Sequence, residues 1–366
     1  MTFDVAKKAI DYYIANFNLV SKRNPLISPT VGFYGGEPLI NFELIKKIVE
    51  YLKVAYKGTV NYNVTVNGSL FDEEIQNFLV SNNFAILVSL DGDKNNHDRN
   101  RVKEGNAGTF DEILNNIRIF KKNHPDYYKF GISGCYDLKT NFSEVEKFFT
   151  AEDLFVMNYT QVEVSNTTYY SNFSQKDLEE FFKSYNNFEK KFSDFATKYK
   201  GSEDIRKFLY SMIGRKYLDF SYHSVMNECR SSISPFTGTC IPGEKLYVTA
   251  DGKMHICERI NHNLPIGDVD SGLDFDHIAK LVNQYNEKIC AKCSSCNAKK
   301  YCSLCLAKAA SKSEFCISEN YCKDFEDSVK GILRKFVSLL ENNPKLFEKI
   351  TVDYYTKVLD MVGEQF

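Results

Sequence analysis

The chain has 366 residues, 43% of them hydrophobic and 26% charged, and a formal net charge of -2. That composition gives a globular protein with a sizeable core and room for two or three domains, and it excludes a global positive field for nucleic acid or an anionic membrane. No basic run supplies a local field, and no apolar run approaches the roughly 18 to 20 residues of a membrane helix.

In chain order, the start, MTFDVAKKAIDYYIANF, spaces apolar residues helically with Asp and Lys between them, and so reads as a helix and not as a signal peptide. A cytoplasmic location is the expectation. From residue 29, PTVGFYGG reads as a buried strand, and NFELIKKIVEYLK follows as a helix with Ile45, Ile48, Val49 and Leu52 on one face. TVNYNVTVNG with DEEIQNFLVSNN repeats the theme. So does FAILVSLDG with TFDEILNNIRIFKKN, where Phe110, Ile113, Leu114 and Ile117 share a face, and KFGISGCYDL opens a fourth unit. Repeated strand-helix units imply parallel pairing with right-handed crossovers, in an open doubly wound sheet or in a full or partial barrel of the TIM type. Either way the active face lies at the strands' carboxyl ends, which carry GGEP, VNGS and SLDG in turn.

Residues 141 to about 225 are rich in Phe, Tyr and Asn, with a strand expected in VMNYTQVEVSN and helices from QKDLEEFFKSYNNFEKKFSDF onward. These aromatics read as packing residues. The segment EDSVKGILRKFVSLLENNPKLFEKI reads as an amphipathic helical tail. Between the two lie ten of the eleven cysteines: Cys229, Cys240, Cys257, Cys290, Cys293, Cys296, Cys302, Cys305, Cys316 and Cys322. Disulfides are uncommon in a reducing cytosol, and the dense part, C-x2-C-x2-C-x5-C-x2-C, presents paired thiolates from tight turns as metal sites do. Thiolate sets accept zinc or iron-sulfur clusters, so spacing alone leaves both open. Cys135, alone in a strand pattern, reads as a small core residue. VTADGKMHI is an expected hairpin turning at Asp251-Gly252, carrying Cys240 and Cys257 to the bases of its strands.

These residues resemble a known family, the radical S-adenosylmethionine (radical SAM) enzymes with a C-terminal SPASM auxiliary-cluster domain, of the peptide-maturase type. Cys240, Gly252 and Cys257 match the first half of the SPASM pattern, and Cys293, Cys296 and Cys302 match the next three ligands. Cys305 follows one residue early. The resemblance implies one auxiliary [4Fe-4S] cluster on Cys240, Cys257 and Cys305, with Cys229 as a doubtful fourth ligand. It implies a second on Cys293, Cys296, Cys302 and Cys322, with Cys316 as the second choice for the last. Cys290 is left without a role. In the same family GGEP holds the amino group of SAM, which carries over to Gly35, Gly36 and Glu37, with Pro38 stiffening the turn. Thr65, Asn67, Ser89 and Arg101 carry over as further cofactor contacts, while Asp91 and His97 read as structural hydrogen-bonding groups. Glu258 stands where some members place a catalytic acid or base.

The implied fold is α/β: a partial TIM-type barrel missing its first strand over residues 1–225, a small Cys-rich α+β SPASM domain over 226–325, and a helical tail over 326–366. The implied cofactors are one or two auxiliary [4Fe-4S] clusters and SAM; the implied partners are a precursor peptide and a reductant such as flavodoxin or ferredoxin, with no nucleic acid and no membrane. The family's defining C-x3-C-x2-C is absent, since no cysteine precedes Cys135. The expectation is therefore an N-terminally truncated maturase, inactive alone, that in complete form makes a crosslink or other radical modification in a Cys-containing or small peptide. Two alternatives stay open: a non-catalytic iron-sulfur partner serving peptide binding or electron transfer, and a zinc-binding module on an unrelated α/β domain.

Overall fold

A computed structural model describes residues 1–22, 24, 27–162, 168–202, 206–217, 220, 240–259, 263–302, 304–311, 314–318 and 320–362. These fall into two compact units, one built from Met1–Pro29, Glu43–Val60 and Tyr222–Arg334, the other from Thr30–Phe42, Asn61–Ser221 and Lys335–Phe366.

The second unit is organised by a five-stranded sheet in the order β1-β2-β3-β4-β5, with strands Thr30–Phe33, Asn61–Val66, Ala85–Ser89, Phe130–Tyr136 and Val156–Gln161. Every neighbouring pair is parallel. Parallel pairing requires each strand to return by a crossover, and helices occupy those crossovers: α2 (Phe42–Ala55), α3 (Glu73–Ser81), the short α4 (Lys94–His97) with α5 (Phe110–Asn123), and α6 (Phe142–Ala151). The parallel α/β sheet expected from the strand-helix pattern is thus present. Period-2 burial in β2 hides Tyr62, Val64 and Val66, while the helical period in α5 hides Phe110, Ile113, Leu114, Ile117 and also Phe120. Phe120 stacks on Phe130 with ring centroids 4.6 Å apart.

The Phe-rich stretch packs as expected. Along α7 (Gln175–Lys198), Phe181, Phe188, Phe192 and Ala196 are buried, and Phe188 stacks on Phe142 of α6. Glu189, 6% exposed in the same helix, is held by the ammonium groups of Lys216 and Lys335. Burial would raise its carboxyl, and these two hydrogen-bonded cations hold it below the ordinary range. The C-terminal helix Leu346–Val362 belongs to this unit: Tyr199 donates to Asp353 at 2.5 Å, and the Tyr210 ring packs tilted against Tyr354 with centroids 4.4 Å apart.

The first unit joins α1 (Phe3–Ser21) and most of α2 to the cysteine-rich segment. Its sheet is antiparallel, in the order β6-β7-β8-β9, with strands Tyr247–Val248, Lys253–His255, Gly267–Asp268 and Gly272–Leu273. The expected hairpin is β6-β7, with a loop one residue longer than a two-residue turn. Thr249 N–H donates to the Lys253 carbonyl and Gly252 N–H to the Thr249 carbonyl. Gly252 sits at φ 85°, the left-handed position that closes a three-residue hairpin loop. Met254, Ile256, Ile266, Leu281 of the helix Phe275–Lys288, Tyr285 and Phe315 form the core of this unit. Tyr12 of α1 packs against it, and its hydroxyl accepts from Leu273 N–H.

One contact in the parallel sheet has no slack. A Cβ on Gly134 of β4 would lie 2.6 Å from the Leu90 carbonyl oxygen and 2.8 Å from the Tyr159 ring. Gly134→Ala should therefore lower unfolding stability by about 2 kcal/mol, read as a lower urea midpoint at unchanged slope. An unmoved midpoint would show that the strand ends shift freely.

Candidate functional site

Because all five strands run the same way, their carboxyl ends form one edge, and the loops that leave β1 to β4 present polar residues there. After β1, Glu37 is the N-cap of a single 3-10 turn, Pro38–Asn41, with proline at its first position, where a missing N–H costs nothing. Its carboxylate accepts Leu39 N–H at 3.0 Å and, from the loop after β2, Asn67 N–H at 2.6 Å. Burial raises the carboxyl above the ordinary range, and the two amide donors offset this only in part. Among the described residues no cation pairs with it. Beside it, Gly35 adopts φ 153°, which side chains rarely tolerate, and a methyl group added at Gly35 or Gly36 would meet no protein atom within 4 Å. The backbone there is bare and open.

The Asn67 side-chain oxygen accepts from both the N–H and the hydroxyl of Ser69 at 2.8 Å, closing the turn after β2. Thr65 and Ser89 are half-buried, Thr65 in register with Leu87 and Ser89 with Ser133. After β3 comes Asp91, 4% exposed. Arg101 grips it from two nitrogens, at 2.7 and 3.1 Å, and Cys135 N–H of β4 donates to it at 2.8 Å. Arg101, expected at the cofactor carboxylate, is thus engaged with a carboxylate of the chain itself.

After β4, Asp137 repeats the arrangement with its own arginine. Arg99 donates to both of its oxygens at 2.8 Å, and Tyr169 and the Lys139 N–H add further bonds. Burial acts to raise the Asp137 carboxyl, and the Arg99 guanidinium and Tyr169 hydroxyl outweigh it, leaving it low. Sequence reasoning passed over Arg99 and Asp137, although Asp137 follows its strand in Cys-Tyr-Asp as Asp91 follows Ser-Leu.

His97 holds the loop between these pairs and is fully buried. Thr109 spends its one hydroxyl proton on the Arg101 carbonyl, so the His97 Nε2, 3.0 Å from Thr109 Oγ1, must be the donor. Nδ1 then accepts Asp91 N–H at 3.3 Å, which fixes the neutral tautomer. A second proton would point at a donor. Burial leads the depression of its pKa to about 4.

In the other unit, Glu258 is half-buried and pairs with Lys245 at 2.7 Å. Burial pushes its carboxyl up, and the Lys245 ammonium more than offsets that. Cys257, Cys290 and Cys302 pack against the core of this unit, whereas Cys240, Cys316 and Cys322 are exposed and Cys305 is half-buried. No disulfide joins the described cysteines; Cys229 lies outside the described residues. Cys293 donates to the Ile289 carbonyl at 3.9 Å, and burial together with the nearby Cys290, Cys302 and Cys296 pushes its thiol up to about 11. Among the described residues no three His, Cys, Asp or Glu side chains stand grouped to hold a metal ion.

Comparison with known proteins agrees with this geometry. The Radical SAM superfamily matches over residues 20–148. The chain carries a radical SAM domain. The chain is 28% identical over 127 residues to the cysteine-type anaerobic sulfatase-maturating enzyme of Clostridium novyi (strain NT), a match covering 34% of each chain. It is 24% identical over 95 residues to the radical SAM cyclopropyl synthase TigE of Paramaledivibacter caminithermalis, covering 26% of this chain and 20% of that one. These matches span about a third or less of the relatives' length. The solved structure of native anSMEcpe with bound AdoMet and the Kp18Cys peptide superposes with a TM-score of 0.60 at 21% identity, covering 86% of this chain and 85% of that one. The fold is therefore the radical SAM partial barrel.

A radical SAM domain implies SAM and iron-sulfur clusters. The sheet edge fits SAM: bare glycine backbone beside a carboxylate with no cation partner among the described residues suits an ammonium-bearing ligand. The cysteine-rich segment offers thiols of the soft kind an iron-sulfur centre takes, and among the described residues they do not stand grouped around one. Among the described residues no helix is long and apolar enough to cross a membrane.

The buried neutral His97 sets a pH window. Below its ordinary value near 6.5 the unfolded chain takes up a proton that the folded chain refuses until about pH 4, so stability falls as pH drops across that interval. The expected loss is about 3 kcal/mol. His97→Gln, which cannot charge, should flatten that slope in urea titrations at pH 7, 5.5 and 4.5. An equal slope in both proteins would mean that His97 is already protonated.

Proposed function

We propose that the chain is the body of a radical SAM maturase which, joined to a C-x3-C-x2-C cluster site that these 366 residues do not contain, would form a crosslink or another radical modification in a Cys-containing or small ribosomally made peptide, and which is inactive alone. The observation that carries this reading is the edge of the parallel sheet, where the backbone of Gly35 and Gly36 stands open beside Glu37, a half-buried carboxylate that no cation pairs with among the described residues. Bound SAM, reduced through an iron-sulfur cluster, supplies hydrogen-abstracting radical chemistry. Glu37 accepts the ligand's ammonium protons, which offsets the burial that holds its own proton affinity up. Gly35 and Gly36 let backbone approach the ligand. Thr65, Asn67, Ser89 and Arg101, on the same edge, serve its remaining polar groups, and Arg101 also keeps the loop in place through Asp91.

The cysteine-rich segment serves as a SPASM-type body with auxiliary [4Fe-4S] clusters. Cys240, Cys257 and Cys305, with Cys229, would hold one, and Cys293, Cys296 and Cys302 with a fourth thiol the other. Glu258, beside Cys257, is the acid or base of this region, held ionised by Lys245. A peptide substrate is supported by the peptide in the anSMEcpe structure, and a flavodoxin or ferredoxin would deliver the electrons. These 366 residues contain no C-x3-C-x2-C, so three thiolates for a cluster with an open iron are not among them.

The test is anaerobic reconstitution with iron and sulfide, followed by equilibrium dialysis against labelled SAM. The expected result is cluster-bound iron with sulfide, saturable SAM binding weakened about tenfold in Glu37→Gln, and no 5′-deoxyadenosine under reductant. Tightly held zinc without sulfide, or SAM binding indifferent to Glu37→Gln, would overturn the reading. Release of 5′-deoxyadenosine would mean that other cysteines furnish the open iron.

A further inference from the structure

One face of α7 carries charge that the proposed reaction does not use. Lys190, Lys191, Asp194, Phe195 and Lys198 stand at positions i, i+1, i+4, i+5 and i+8, which the 3.6-residue period brings to one side of the helix. With Lys200 and Arg206, which follow the helix, they line a groove of about 640 Å³ within the second unit. Five cations thus meet around one acid, Asp194, in a chain whose net charge is -2. No basic run shows this in the sequence, because the cations are spread over positions 190 to 206 and the helix gathers them.

The five differ in what already holds them. Lys191 reaches to Glu146 of α6, a carboxylate only 6% exposed, and is taken up by it. Lys190 pairs with Asp194 at 3.0 Å, but both are exposed and sit one turn apart, a pairing that water and salt loosen readily. Among the described residues no ion pair involves Lys198, Lys200 or Arg206; Glu203 and Asp204 lie outside those residues. The Arg206 guanidinium lies over the Phe195 ring at 6.0 Å, and Tyr199 meets the same ring edge-on at 5.3 Å.

This layout selects a ligand. A compact phosphate asks donors to converge on one point, whereas Lys190 and Lys198 stand about 12 Å apart along the helix. A nucleobase asks for a bare aromatic face, and the Phe195 ring is already covered by Arg206 and Tyr199. An extended peptide sets side chains i and i+4 on one side, about 13 Å apart, and so matches the two cationic ends. We propose that this groove binds an acidic peptide segment in extended form, one carboxylate at Lys190 and the next, about four residues on, at Lys198, Lys200 and Arg206. Within the proposed reaction it would hold the precursor by residues that are not modified. That role rests on the reading above, and the binding itself does not.

The test is fluorescence anisotropy of a rhodamine-labelled Gly-Ser peptide with glutamate at every fourth position, titrated with the full chain. No SAM, iron or sulfide is added, so failure here leaves the reading of the sheet edge untouched, and failure there leaves this one. The expected result is saturable binding that weakens with salt and falls about tenfold in the double variant Lys198→Gln/Lys200→Gln. Asp194→Asn, which releases Lys190, should bind more tightly. Lys176→Gln/Lys183→Gln removes the same charge from α7 outside the groove and should bind as the unaltered chain does; all five positions are exposed, so the fold is kept. An equal loss in Lys176→Gln/Lys183→Gln, or equal binding of the same peptide with glutamine in place of glutamate, would sink the proposal. So would tighter binding of tripolyphosphate or of a single-stranded oligonucleotide that Lys198→Gln/Lys200→Gln abolishes, since the groove would then serve phosphate.

Discussion

The edge of the parallel sheet depends on one buried carboxylate, Asp91. Its oxygens take two bonds from Arg101 and one from the backbone of β4, its own N–H is received by His97, and its carbonyl accepts the Tyr159 hydroxyl of β5 at 3.0 Å. One residue thus ties the end of β3 to two neighbouring strands and to the loop carrying residues 97–101. A carboxylate so buried costs several kcal/mol in desolvation unless its partners are complete. Here they are complete, so the loop has one arrangement.

That completeness gives the third carboxylate its meaning. Asp91 and Asp137 each meet an arginine in two-point contact, while Glu37, among the described residues, meets peptide N–H groups and no cation. Peptide donors orient a carboxylate without neutralising it. The sheet edge therefore carries two saturated acids that build the loops and one unsaturated acid that is left to a ligand, and the same residue type serves scaffold or site according to whether a guanidinium stands opposite.

Much of this was legible beforehand, for identifiable reasons. The helix faces of α2 and α5 followed from the 3.6-residue period, and the parallel sheet followed from alternating strand and helix patterns, because burial enforces both. GGEP was legible as a turn because glycine frees the backbone and proline fixes it wherever they stand. Arg99 and Asp137 were not, since their pairing spans 38 residues and no local pattern encodes which arginine of HDRNR meets which strand end. Arg101 read as a ligand contact from its motif, and its pairing with Asp91 became visible only in three dimensions.

The cysteine-rich segment passes through a 3-10 turn at Cys290–Ser295, which limits how it can vary. Each residue of such a helix advances the side-chain direction by about 120°, so a single insertion or deletion between Cys290 and Cys296 would swing every later thiol a third of a turn away. Substitution of the intervening residues leaves the line of thiols intact.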